Sequence, residues 1–290
     1  MQLALRRGLE RWSKLTEASI APLVHSFEEL LTGPVEQLAS FVEDEFKFDY
    51  FFSRKDAKKL LVFYPSALRE GRRRLPAFHR WSWAEQFPDF DVLCVSDPTM
   101  HLHQEMLGGW LVGNRSTWVL ENVLRHIAKL QQALGYEDVI FCGSSLGGFC
   151  AIQSGAMAKQ YGISVGKGGV YAENPQVNLF TYKFFTHIDL LAKVGFDAAN
   201  RESIAPEFAK RFNIVTTLES YGHVPHGLVV IKESDVHHFS DQVPQLASYV
   251  KGAPQNTLSI EVIPAAVDPS GHTPLDIEQM KERIQAILAN

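Results

Sequence analysis

The chain has 290 residues, 46% hydrophobic and 21% charged, with a formal net charge of −5. That length suits one large globular domain or slightly more, and so mild a charge excludes the strongly basic surface of a nucleic-acid binder. No apolar run approaches the length of a membrane span, and Arg6 and Arg7 interrupt the apolar start that a signal peptide would need.

Residues 1–44 are expected to form an N-terminal helical segment, because Leu3, Leu5, Leu9, Trp12 and Leu15 recur at helical spacing. Pro34 breaks a later stretch of it. Glu45 to Phe52 alternates and is rich in aromatics, so it reads as a strand. Lys59 to Tyr64 reads as a second strand, close enough to suggest a hairpin with the first. Phe90 to Ser96 is another buried strand. Ser116 is expected to cap a helix whose apolar face carries Leu120, Val123, Leu124, Ile127 and Leu130, with Gly135 closing it. Asp138 to Cys142, Gly168 to Glu173, Gly227 to Lys232 and Thr257 to Ile263 are further strands, and Leu275 to Leu288 a closing helix. Strands alternating with helices imply an α/β fold, a doubly wound and mainly parallel sheet covered on both faces. The apolar stretch at about residues 178–226 is too long for a bare loop, and a helical lid is expected there.

The three cysteines, Cys94, Cys142 and Cys150, have no framework spacing. They are expected as buried apolar side chains in a reducing, cytoplasmic compartment. No Cys/His spacing resembles a zinc site.

The chemistry concentrates at Gly143-Ser144-Ser145-Leu146-Gly147, a G-x-S-x-G turn between an apolar strand and a helix. Such a turn lifts its central serine clear of the sheet, and the following helix aims free N–H groups at the place where an oxyanion would form. Ser145 is therefore a candidate nucleophile. A serine needs a base, and the base an orienting carboxylate. In open α/β sheets working groups sit at the carboxyl ends of strands, which selects Glu233-Ser-Asp235-Val-His237-His238 after one strand and Asp268-Pro-Ser-Gly-His272 after the last. The residues alone leave alternatives: His238 for the base, and Glu233, Asp268 or Asp97 for the acid.

With these residues in view, the chain resembles the α/β-hydrolase superfamily over about residues 45–289. It keeps the order nucleophile, acid, histidine. The resemblance implies Ser145 as nucleophile, Asp235 as acid and His272 as general base, in an α/β-hydrolase domain over 45–290 with the lid inserted. It also implies an oxyanion hole from the N–H of Leu146 and from the loop after the strand at 59–64. Here that loop reads Tyr64-Pro65-Ser66-Ala67 instead of the usual His-Gly, so Ser66 or Ala67 is the expected donor. A fainter likeness, carried by Phe63 to Ala67, Leu75 to Trp83, Ser96 to Thr99, Gly109-Trp110 and Asn174-Pro175-Gln176, is to bacterial hydrolase-like proteins of capsular polysaccharide and glycan modification. It implies a glycan-linked ester substrate. Trp81, Trp110, Arg80 and Asn174 are the expected substrate contacts, with the tryptophans stacking on sugar rings.

The expectation is a serine esterase that needs no metal or organic cofactor, acts on a small-molecule or glycan ester, and has neither a nucleic-acid partner nor an integral membrane segment. The alternatives are an O-acyltransferase acting on a sugar hydroxyl, and a non-catalytic scaffold binding a partner through its N-terminal segment.

Overall fold

The computed structural model describes residues 26–32, 36–69, 74–166, 168–182, 187–196, 204–254 and 257–289. The leucine pattern from Leu3 to Leu15, and Pro34, lie outside the described residues. In chain order the first elements are α1 (Phe27–Thr32), β1 (Glu36–Glu43), β2 (Phe46–Ser53), β3 (Lys59–Phe63) and β4 (Asp91–Val95). Next come α2 (Val119–Leu134), β5 (Asp138–Ser144), α3 (Leu146–Met157) and β6 (Val170–Glu173). Between β6 and β7 lie α4 (His187–Lys193), a single turn at Pro206–Ala209 and α5 (Ile214–Tyr221). The chain ends with β7 (Gly227–Lys232), α6 (Val243–Gly252), β8 (Leu258–Ile263) and α7 (Ile277–Ala289).

The strands form one eight-stranded sheet in the order β1-β2-β4-β3-β5-β6-β7-β8. The β1–β2 and β2–β4 pairs are antiparallel and the others parallel. Side chains alternate between faces, and both faces are apolar in the centre of the sheet, as covering helices require. Leu60, Val62, Val139 and Phe141 share a core with Val123 and Ile127 of α2, Phe149 and Ile152 of α3, Leu218 of α5 and Leu246 of α6. Leu61, Phe63, Ile140 and Cys142 point the other way, toward Ala84, Phe87 and the Met280, Ile284 and Ile287 stripe of α7. Cys94, Cys142 and Cys150 are free and buried.

Three expectations are corrected. Glu36–Glu43 is a strand, where a helix was expected, so the sheet begins before residue 45. It pairs with β2 through a tight turn at Asp44 and Glu45, both at positive φ (49° and 68°). The hairpin is thus β1–β2; β2 and β3 do not pair, because β4 lies between them. Ser116 does not cap α2: Trp118 occupies the cap position without a side-chain bond, and Ser116 Oγ donates to Asn114 instead. Gly135 does close the helix, in the left-handed conformation that spares a Cβ clash.

Candidate active site

β5 delivers Ser145 to the carboxyl edge of the sheet. Its backbone stands at φ 58°, ψ −119°, between the last strand residue and the first turn of α3. A side chain at such a φ is strained by roughly 1–3 kcal/mol, which surrounding structure must offset. The Ser145 N–H donates to the Glu173 carbonyl on β6 at 2.8 Å, and its carbonyl accepts the first helical bond, from Phe149, at 3.1 Å. The turn closes so tightly that a Cβ on Gly143 would lie 2.1 Å from the Gly147 carbonyl carbon. Gly147 in turn lies against the loop after β3: its Cβ would meet the Pro65 carbonyl oxygen at 2.7 Å. Ser66 and Ala67 therefore lie in the loop packed against the N-terminus of α3, where the Leu146 N–H lacks an intrahelical acceptor. Leu68 N–H donates to Leu107 at 2.6 Å and pins that loop from behind.

Asp235 follows β7 and carries two imidazoles. His238 Nδ1 lies 2.9 Å from Oδ1, and His272 Nδ1, from the loop after β8, lies 2.5 Å from Oδ2. The rings stack at 4.3 Å, 16° from parallel. Burial alone would raise the Asp235 pKa, but hydrogen bonds from both histidines outweigh it and hold the carboxyl well below the usual range. Burial lowers the His238 pKa, and the bond to Asp235 only partly restores it. His272 keeps 42% of its side chain exposed. These groups, with Tyr182, Ser234, Val236 and His237, line a cavity of about 500 Å³.

The two rings and the carboxylate place three ligand-type atoms within 4.8 Å of one another. The two rings are stacked nearly parallel, and each Nδ1 already has an Asp235 oxygen as its partner. The cluster is organised by hydrogen bonds to the shared carboxylate.

The other carboxylates considered for the acid are committed elsewhere. Asp97 accepts from Thr99 and Gly109 N–H groups, Glu233 accepts from Ala265 N–H, and Asp268 pairs with Lys232 at 2.6 Å. His237 lies 2.6 Å from Asp241.

Ser145 and His272 are not hydrogen-bonded to each other. Instead Ser145 Oγ accepts from Gln176 Nε2 at 2.8 Å, and the same nitrogen lies 2.9 Å from His238 Nε2. Gln176, which carries no role in the sequence reading, is 1% exposed. It sits three residues beyond the end of β6, a place that the strand-end rule marks, within the noted Asn174-Pro175-Gln176 run.

The expected substrate contacts sit differently. Trp110 is 1% exposed, and its indole N–H donates to Gln176 Oε1 at 3.1 Å, so it has no face for a sugar. Arg80 is buried in an ion pair with Glu173 at 2.7 Å, stacked over Trp83. Asn174, at φ 40°, accepts from Lys232 N–H at 2.9 Å and ties the end of β6 to β7. Trp81 packs edge-on to Phe51, against the sheet face that carries α7.

No family model matches the sequence, and a search of curated proteins finds no relative. Solved structures do resemble the fold. The capsule O-acetyltransferase of Neisseria meningitidis serogroup A is 15% identical, with a TM-score of 0.59 over 87% of this chain and 95% of that one. Esterase B from Lactobacillus rhamnosis is 12% identical, with a TM-score of 0.55 over 100% and 96%. An S-formylglutathione hydrolase from Agrobacterium tumefaciens is 11% identical, with a TM-score of 0.56 over 88% and 90%. Among the described residues no helix is long and apolar enough to cross a membrane. With its 1-2-4-3-5-6-7-8 sheet, its strained serine turn after β5 and these structural likenesses, the chain has the α/β-hydrolase fold.

Proposed function

We propose that the protein is a serine esterase that works through an acyl-enzyme on Ser145. The observation that carries this reading is the strained backbone of Ser145 at the mouth of α3. Strain of this kind persists where the side chain it positions has a use. Asp235 and its histidines, at the ends of the next strands, supply the base system. Asp235 accepts the Nδ1–H of His272, and His272 Nε2, which has no partner among the described residues, takes the Ser145 proton as Oγ attacks the ester carbonyl carbon. The Leu146 N–H and the Ser66–Ala67 loop steady the tetrahedral oxyanion. His272 then returns the proton to the departing alcohol, and water repeats the cycle on the acyl-enzyme. Because Ser145 and His272 are apart at rest, their hydrogen bond forms as substrate enters, a tightening common among catalytic pairs.

The substrate is an ester of a small molecule or a glycan. The capsule O-acetyltransferase likeness favours a second reading, in which a sugar hydroxyl replaces water as acceptor. The buried thiols, each raised in pKa by burial, suit a reducing, cytoplasmic compartment. The test is turnover of a p-nitrophenyl ester with and without an acceptor oligosaccharide. Hydrolysis that disappears in Ser145→Ala supports the esterase; an acylated sugar product selects the transferase. Full turnover by Ser145→Ala refutes both.

A further inference from the structure

Two histidines share Asp235, so the site holds two imidazoles able to serve as base. The hydrogen bonds around Gln176 distinguish them. An indole N–H can only donate, so Trp110 fixes the orientation of the Gln176 amide: Oε1 faces Trp110, and Nε2 faces Ser145 and His238. The amide nitrogen then donates toward Ser145 Oγ and His238 Nε2, and the Tyr182 hydroxyl is a further hydrogen-bond partner of the same side chain. His238 accepts at Nε2 and carries its proton on Nδ1, where Asp235 Oδ1 receives it. Its one basic lone pair is thereby capped. The Ser145 hydroxyl hydrogen cannot point at the donor amide, so it is directed away from Gln176 Nε2. His272 Nε2 carries no such cap among the described residues, and its ring is the half-exposed one.

We propose that Gln176 is a positioning residue that selects the base: by capping His238 it makes that ring a neutral support for Asp235 and leaves His272 to take the serine proton. This rests on the reading of Ser145 as the nucleophile. The capped ring is not remote, since a single amide nitrogen bridges it to Ser145 Oγ. With the amide gone, one water in its place would connect them, and a base acting through one water is competent.

The experiment is a double-mutant cycle on the second-order rate of labelling by a fluorophosphonate, with the adduct mapped by mass spectrometry. The proteins are the wild type, His272→Ala, Gln176→Ala and the double variant, with Gln176→Ser as a milder second variant and thermal melts on each. His272→Ala is expected to slow labelling about a hundredfold or more in the wild-type background. In the Gln176→Ala or Gln176→Ser background the same change is expected to cost less than about tenfold, because His238 takes over. A residue with only a structural role would give additive losses. Equal cost of His272→Ala in both backgrounds therefore overturns the selection by Gln176 while leaving Ser145 as nucleophile. A wild type that does not label at Ser145 overturns the hydrolase reading and this inference with it.

Discussion

Gln176 stands between the serine and His238: its amide nitrogen is 2.8 Å from Ser145 Oγ and 2.9 Å from His238 Nε2. The hydrogen bonds therefore form a directed chain from Trp110 through Gln176 and His238 to Asp235, while His272 approaches the same carboxylate from the exposed side. The serine is held without being bonded to a base. The aromatic wall of Tyr182, stacked on His237 at 5.2 Å, borders the cavity that Asp235, His238 and His272 line.

The role of Trp110 can be separated from sugar binding by Trp110→Phe, which keeps a large ring and removes the N–H. Leaving Gln176 Oε1 buried without its donor is expected to cost about 1–3 kcal/mol. It also frees the amide to turn, so kcat falls while KM holds. A rise in KM for a glycan ester with kcat unchanged would instead mark Trp110 as a sugar platform.

Strain at Ser145 predicts that Ser145→Gly is inactive yet more stable than Ser145→Ala, by about 1–3 kcal/mol, since glycine adopts positive φ without penalty. Denaturant melts of the two variants read this directly. Equal stability would mean that the turn stores no strain.

Arg80 is predicted to act on stability. Arg80→Met leaves Glu173 buried and unpaired, at a cost of about 3–5 kcal/mol. Arg80→Met combined with Glu173→Gln recovers part of that loss, and KM per folded molecule is unchanged in both. A stable Arg80→Met protein with a raised KM would return Arg80 to the substrate.

The pH dependence of stability has two windows. His238 has a folded pKa below the roughly 6.5 of free imidazole, so the unfolded chain binds more protons below that pH, and stability falls as the pH drops from there. Asp235 has a folded pKa below the roughly 3.9 of a free carboxyl. Its contribution is complete above that value and is lost as the pH falls through the folded pKa. Urea melts from pH 7.5 to 3 should show a shallower first window in His238→Gln and a smaller acid loss in Asp235→Asn. Unchanged slopes in both would contradict the arrangement.

Much of the fold is legible in the chain because it depends on local pattern. The unbroken apolar runs Val92 to Val95 in β4 and Val139 to Cys142 in β5 announce a sheet covered on both faces, and Gly135 and Gly147 sit where a helix end and a close approach require them. β1 escapes because its turn, Asp44-Glu45, lacks the glycine or asparagine that marks two-residue hairpins, and because Leu38 and Phe41 also fit helical spacing. The serine turn and the strand ends at Asp235 and His272 carry signals of order and spacing. Gln176 is different. Its role comes from a meeting with Trp110, 66 positions away, and with His238, 62 away, which no periodicity records. Trp110, Arg80 and Asn174 are expected as substrate contacts from a likeness to glycan-modifying proteins, but their polar groups are spent on buried partners.

The most direct test of the central claim is intact-mass analysis of the wild type and Ser145→Ala after reaction with a fluorophosphonate, followed by peptide mapping. The account predicts one adduct per chain, on Ser145, and none in Ser145→Ala. An unmodified wild type, or an adduct that persists in Ser145→Ala, would contradict it.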